Sequence, residues 1–479
     1  MTCLASVLLS ISVTAQVIIP ICSLTNTGFS SPRNPRGGNL LIAPDGSFYG
    51  TTKYGGTGDF GTVFNVTTNG LFTVLANFDG SNTGADPYGG VTLGLDGTLY
   101  GTTQFAGPHG NGTVFRLTTG GTLHILYSFS AMTWNGTNYI NNDGANPYAT
   151  VMLAPDGYLY GTTANGGANG SGTVFKMTTN GFLTTLFSFD ALAPPPNVAT
   201  NVSGGSPYAG LTRGPDGNLY GTTFVGGSET DGTAFRITPN GAFTLLTNFV
   251  GANGNGPQAT MTLGPDGCMY GTTDNGGGGI GGSAGTVFKL TTNGALIALV
   301  SFDSFEGASP VAGVVFGTDG YLYGTTTGGG TNVADDWGTV FRATTNGILT
   351  TLADFRSTNG WMAEAGVAFG RDGGLYGTTY FGGSADPNAA GEVYRLNVGL
   401  PPANNPPSIS IARGAGGAVI LTVASTPGST NRLWASTNLS LPVAQWQVLA
   451  TNVATNGFFE FRDTNASGNV MRFYRPSTP

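Results

Sequence analysis

The sequence predicts an all-β chain: a seven-bladed β-propeller of four-stranded blades closed by an N-terminal strand, followed by a small C-terminal β-sandwich-like domain. Three observations predict it. A single phrase recurs seven times: an Asp-Gly turn, an apolar stretch ending in Tyr-Gly-Thr-Thr or close to it, a glycine-rich gap, then Gly-Thr-Val-Phe or a close variant and another apolar stretch. The recurring tyrosines, Tyr49, Tyr100, Tyr160, Tyr220, Tyr270, Tyr323 and Tyr376, are 51, 60, 60, 50, 53 and 53 residues apart, the period range of propeller blades. Finally, the last unit lacks one strand, while an unassigned strand-like segment precedes the first unit.

Each unit resolves into four strands. In the second, residues 90–93, 98–103, 113–118 and 122–129 are rich in Val, Leu, Thr, Phe and Tyr. The turns at Asp96-Gly97 and Gly120-Gly121 are tight, glycine supplying the positive φ that a short hairpin needs. Between strands two and three, residues 104–111 are loose and polar.

The seventh unit offers strands only at 366–369, 374–379 and 392–397 before running into Pro401-Pro402. Residues 16–24, which resemble the fourth-strand segment 71–78, supply the missing outer strand, close the ring and cover an edge that would otherwise be open. Pro20 is tolerable there, because one side of an outermost strand needs no partner.

Domain boundaries follow. Residues 1–15 read as a signal peptide, with an apolar run at 4–13 and small residues at Val13-Thr14-Ala15; the run is too short for a membrane span. Residues 16–398 form the propeller, 399–407 a proline-rich linker, and 408–479 a small β-sandwich-like domain with six strand candidates. In that domain Trp434, Trp446, Phe459 and Phe473 are read as packing.

Composition narrows function. Charged residues are 9% of the chain and Lys plus Arg number 17 against 25 Asp plus Glu, a net charge of -8. A nucleic-acid footprint needs clustered cations, so nucleic-acid binding is excluded. Hydrophobic residues at 39% in periodic segments exclude a disordered chain. The three cysteines show no pairing pattern.

The unit Asp-Gly-x-Leu-Tyr-Gly-Thr-Thr-x-x-Gly-Gly, with Gly-Thr-Val-Phe-x-x-Thr-Thr-x-Gly after it, resembles the GloVer (Gloeo_Verruco) repeat of bacterial secreted and surface proteins, over residues 40–398. The resemblance implies an extracytoplasmic propeller, secreted or at the cell surface. It brings no catalytic residues to carry over. The tail, with Ser436-Thr437-Asn438-Leu439, Trp446 and Phe473-Tyr474-Arg475, is similar to a short β-rich domain that ends extracellular proteins of the same bacteria.

Chemistry is sparse. His109 and His124 are the chain's two histidines, too few for a metal site without an unrelated third ligand, and no Gly-x-Ser-x-Gly elbow between a strand and a helix is present. The turn aspartates Asp45, Asp96, Asp156, Asp216, Asp266, Asp319 and Asp372 are assigned to turn chemistry rather than calcium, which needs oxygens from alternating positions of one loop. No metal, cofactor or catalytic residue is expected.

Geometry says more. In a four-stranded blade the first-to-second and third-to-fourth connections share one face of the disc, uniformly tight here. The length variation falls on the other face, at residues 130–148, 189–208, 274–284 and 327–337, and long loops on a rigid scaffold are where binding surfaces are built. Counting eight residues back from each turn aspartate gives Tyr88, Tyr148, Tyr208, Gln258, Val311 and Glu364 beside the central channel, and in the first unit Gly37, next to Arg36. An arc of Tyr88, Tyr148 and Tyr208, completed by Gln258, Glu364 and Arg36, is the candidate binding site, and Trp134, Tyr139, Trp337 and Trp361 are its loop contributors. The acidic loop residues Asp59, Asp143, Glu229, Asp231, Asp335, Asp336 and Asp386 read as a solvated rim. The expected function is non-catalytic binding of a polysaccharide or extracellular protein by a monomer; the alternative is a carbohydrate-active enzyme with acidic residues on the same face.

Overall fold

Each third strand carries a run such as Thr113-Val114-Phe115-Arg116-Leu117, with every residue but Arg116 buried. A strand sandwiched between two neighbouring sheets is covered on both faces, so alternation is lost and only one position stays wet. Stacking such sheets radially is the way to satisfy both faces. The computed structural model describes residues 16–25, 28, 30–94, 96–192, 201–278, 283–331, 337–383, 390–400, 408–413, 419–424, 430–436, 447–453, 458–463 and 473–477. The chain divides into two compact units, one of Met1–Phe369 and Leu375–Val398, the other of Gly370–Gly374 and Gly399–Pro479.

The first unit is a seven-bladed propeller of antiparallel four-stranded sheets, blade 1 carrying a fifth short strand, Arg33–Pro35, beside its second. Blade 2 runs, from channel to rim, Thr92–Leu93, Leu99–Thr103, Thr113–Leu117 and Leu123–Ser128. Innermost strands are two residues long throughout, shorter than the sequence suggests. Backbones crowd at the axis: a Cβ on Gly89 would come within 2.6 Å of the next blade's Ala149 carbonyl carbon.

The glycine of Tyr-Gly-Thr-Thr has a packing cause. Gly101 pairs across the sheet with Phe115, and a Cβ there would sit 2.5 Å from the Phe115 ring. Equivalent glycines lie under Phe64, Phe175, Phe235, Phe288 and Phe341, so the aromatic ring needs the missing side chain. The threonines after it tie the structure laterally. Thr103 and Thr113 hydroxyls are 2.8 Å apart across two strands, while Thr102 donates to the Ala149 carbonyl of the next blade at 2.9 Å.

Ring closure is as the sequence predicts. Ile18–Ser23 is the outer strand of blade 7, antiparallel to Glu392–Leu396 and in register Ile18↔Leu396 through Ser23↔Glu392. A bulge between Pro20 and Cys22 repeats the bulge that every other fourth strand makes, such as that between Ile125 and Tyr127. The segment therefore reproduces a fourth strand in detail, and Pro20 is exposed.

Turn chemistry is also as expected. In all seven blades the aspartate side chain accepts the main-chain N–H two residues on, at 3.0–3.3 Å. A feature the sequence reading lacks is that at least four of these aspartates also take the hydroxyl proton of the recurring tyrosine: Tyr160 to Asp156, Tyr220 to Asp216, Tyr270 to Asp266 and Tyr323 to Asp319, at 2.7–2.9 Å.

The second unit contains two three-stranded antiparallel sheets: Ser408–Arg413, Val419–Ala424 and Phe458–Asp463; and Gln447–Val453, Thr430–Ser436 and Phe473–Ser477. Its described core is Leu421 and Leu433 with Phe461, Leu449 and Tyr474 against them. Trp434 is half-buried, and Trp446 lies outside the described residues, as do the leader at 1–15 and the linker segment 401–407.

Candidate functional site

A Pro-containing tripeptide delivers one residue per blade to the channel mouth. Its first member has left-handed φ: Asn34 at 56°, Asp86 at 55°, Asn146 at 56°, Ser206 at 50°, Gly256 at 65°, Ser309 at 52° and Met362 at 54°. A proline follows in six blades and Ala363 in the seventh. The third members are then Arg36, Tyr88, Tyr148, Tyr208, Gln258, Val311 and Glu364. Counting from the turn placed six of these; in blade 1 one extra residue shifts the count to Gly37, and Arg36 is the true equivalent.

Tyr88, Tyr148, Tyr208, Gln258 and Val311 line a cavity of about 360 Å³ at the axis, floored by Val91, Val151, Leu211 and Val314. Tyr88 and Tyr148 meet edge-to-face with ring centroids 5.2 Å apart, and Tyr148 and Tyr208 tilt together at 4.5 Å. Phe224 extends the row beyond Tyr208 at 5.0 Å. Burial pushes all three tyrosine hydroxyls up from their ordinary pKa, so they stay protonated donors at any physiological pH.

At the other end of the row stands Arg36. Its guanidinium lies 4.7 Å over the Tyr88 ring and 5.7 Å from that of Tyr380, and its Nε donates to Glu364 at 2.5 Å. Beyond it, Tyr380, Phe381, Trp361 and Trp337 are in successive ring contact at 4.4, 4.5 and 4.9 Å. One unbroken chain of aromatic contacts, bridged by Arg36, thus runs from Phe224 to Trp337. Trp134 and Tyr139 stand apart from it. They pair with each other at 5.1 Å on a hairpin of Thr133–Trp134 and Tyr139–Ile140, each about 60% exposed.

The structure adds a residue that sequence reasoning missed. Asp86 is 7% exposed, and its Oδ1 has no hydrogen-bond partner. Its Oδ2 lies 3.9 Å from Lys53 Nζ. Burial pushes its carboxyl up to about 6, against the pull of Lys53 and Arg36, with Glu364 adding to the rise. The signal was in the sequence: Asp86 precedes Pro87-Tyr88 where Asn34 and Asn146 precede Pro35-Arg36 and Pro147-Tyr148.

The described acidic loop residues are mostly engaged, not solvated. Asp59 holds Arg33 at 2.6 Å, Asp143 accepts from Tyr127 at 2.7 Å and the Ser130 N–H at 2.9 Å, and Asp231 accepts from Asn255 at 2.6 Å. Asp335, Asp336 and Asp386 lie outside the described residues. His109 and His124 are exposed. Among the described residues, no group of three or more His, Cys, Asp or Glu side chains could hold a metal ion, and no helix is long and apolar enough to cross a membrane.

The Gloeobacter/Verrucomicrobia repeat model matches residues 19–142, 134–284 and 278–406. The chain belongs to that repeat family. No curated protein matches it. Among solved structures, a puromycin hydrolase is 14% identical, with 87% of this chain and 62% of that one covered and a TM-score of 0.46. The α-L-arabinanase of Penicillium chrysogenum, complexed with arabinobiose, is 13% identical, with 80% and 98% covered and a TM-score of 0.39. Likeness at that level bears on neither substrate nor mechanism for this family member.

Proposed function

We propose that this repeat-family propeller is a non-catalytic, extracytoplasmic binding protein that holds a carbohydrate at its channel mouth. One observation carries the reading: three half-buried tyrosines in successive contact line a 360 Å³ cavity, with polar Gln258 following them in the ring. Tyrosine presents a flat apolar face to a sugar ring and a hydroxyl to its oxygens. The volume is near the small end of ligand cavities, roughly 300–1,000 Å³, which suits sugar rings better than a protein surface. Location outside the cytoplasm rests on reading residues 1–15 as a leader. Calorimetric titration with an oligosaccharide panel tests the proposal: Tyr148→Ala should abolish binding and Tyr148→Phe weaken it mildly. Equal binding by wild type and Tyr148→Ala would remove the site.

A second reading, a carbohydrate-active enzyme using acidic residues on the same face, is favoured by one observation. Asp86 keeps a proton to about pH 6 beside a second carboxylate, Glu364, and such a pair divides acid from base roles in glycoside hydrolysis. Chromatography of polysaccharides after incubation separates the two readings. Product released by wild type and lost in Asp86→Asn would replace binding by catalysis.

A further inference from the structure

Arg36 is tethered but unsaturated. Only Nε engages Glu364; among the described residues the two Nη nitrogens have no hydrogen-bond partner, and the side chain is 28% exposed. Glu364 on one side and the Tyr88 ring beneath fix the plane of the guanidinium, leaving an outward fork of N–H donors at the end of the tyrosine row. Such a fork matches a planar carboxylate bidentately, and Arg is the side chain that does this with least loss of freedom.

Asp86 makes this cation conditional. In the same slot Asn34 donates Nδ2–H to the Tyr380 carbonyl at 2.8 Å, and Asn146 donates to the Gln104 carbonyl at 3.1 Å. The same offset from Asp86 leads to Lys53, to whose carbonyl only a protonated acid could donate as the two asparagines do to theirs; as it stands, Oδ1 is buried without a partner. The groups around it are Lys53, Arg36, Glu364 and the hydroxyls of Tyr88 and Tyr148. Two cations face two carboxyls, so the cluster is neutral when Asp86 is ionised and carries one net positive charge when it is protonated.

We propose that the channel mouth selects an acidic sugar, a uronate, whose ring lies on the tyrosine row and whose carboxylate is taken by Arg36, with the protonation of Asp86 setting the strength of that contact. This rests on the carbohydrate reading above and sharpens it to a substrate class. The sign is fixed by electrostatics. Burial holds the Asp86 proton to about pH 6, so below that pH the cluster attracts an anion, and above it the attraction fades. A uronate stays ionised across the whole interval.

The test uses the full chain, titrated calorimetrically at pH 5 and pH 8 with oligogalacturonate, oligoglucuronate and oligomannuronate, with their methyl esters and with neutral xylo- and cello-oligosaccharides. At pH 5 at least one free acid should bind tighter than its own ester by about threefold to tenfold, a preference that shrinks at pH 8. Arg36→Gln should make acid and ester equal. Asp86→Asn, a residue the fold already accepts in blades 1 and 3, should preserve the acid preference at pH 8. Acid and ester bound equally by wild type, neutral chains preferred, or a pH profile unchanged by Asp86→Asn would each overturn the proposal while leaving the carbohydrate reading in place. Failure of every sugar to bind would remove both.

Discussion

The Ser23 hydroxyl lies 3.1 and 3.0 Å from the two carboxylate oxygens of Glu392, joining the strand that opens the propeller to the strand that ends it. In the other six blades the Glu392 position is a threonine paired with a threonine on the second strand, as Thr113 is with Thr103. Only at the seam does a carboxylate, fully buried, replace it. Ser23→Ala is expected to destabilise the protein by about 1–3 kcal/mol, the cost of withdrawing a donor from a buried charge. Chemical denaturation followed by tryptophan fluorescence measures it; a midpoint equal to wild type would show that the latch does not depend on this contact.

Blade 7 differs once more, and here the difference is a defect. Tyr394 occupies the place of Phe115, Phe175 and their equivalents, pressed over Gly377, fully buried, with its hydroxyl lacking a partner. Burial without a hydrogen bond also pushes that hydroxyl far above its ordinary pKa. Tyr394→Phe removes an unpaired polar atom and keeps the ring, so it should stabilise by about 1 kcal/mol. A lower denaturation midpoint for Tyr394→Phe would mean the hydroxyl is satisfied after all.

How far such details could be read beforehand depends on whether they repeat. Blade number, closure by Ile18–Ser23 and the ring of Tyr88, Tyr148, Tyr208, Gln258 and Glu364 were legible because each follows from a period or a fixed offset. In blade 1 the same offset lands on Gly37, since one extra residue separates the ring from its turn, and Arg36 was reached only as its neighbour. The repeat offset marks Asp86 as the counterpart of Asn34 and Asn146, but its burial next to Lys53 and Arg36, from which its chemistry arises, is not revealed by spacing. The bonds from tyrosine to turn aspartate, an offset of four, were open to discovery in the repeats, but turn chemistry alone already accounted for the aspartates.

Those bonds set the turn at Asp319 apart from the turn at Asp96. Asp319 accepts both the Tyr321 N–H at 3.3 Å and the buried Tyr323 hydroxyl at 2.7 Å. Asp96, exposed like Asp319, serves only Thr98 among the described residues, through its N–H and hydroxyl at 3.0 Å each. Asp319→Ala strands a hydroxyl inside the blade and should cost about 2 kcal/mol, whereas Asp96→Ala, whose partners can turn to water, should cost less than about 1 kcal/mol. Paired denaturation curves decide it, and equal losses would assign both residues to the turn alone.

Asp86 links the candidate site to stability. Its carboxyl is raised to about 6 in the folded protein and titrates near 3.9 when unfolded, so between those values the native state binds more protons than the unfolded one. Stability therefore falls as pH rises through this window and stays reduced above it. The penalty at pH 8 is on the order of 2–3 kcal/mol, little screened because the side chain is 7% exposed. Asp86→Asn should lift it, making the variant more stable than wild type at pH 8 by about that amount and equal to it near pH 4. Unfolding free energies of both proteins at pH 4, 6 and 8 provide the comparison. A difference that fails to grow with pH would show that Asp86 finds, in its ionised form, a partner that offsets its burial.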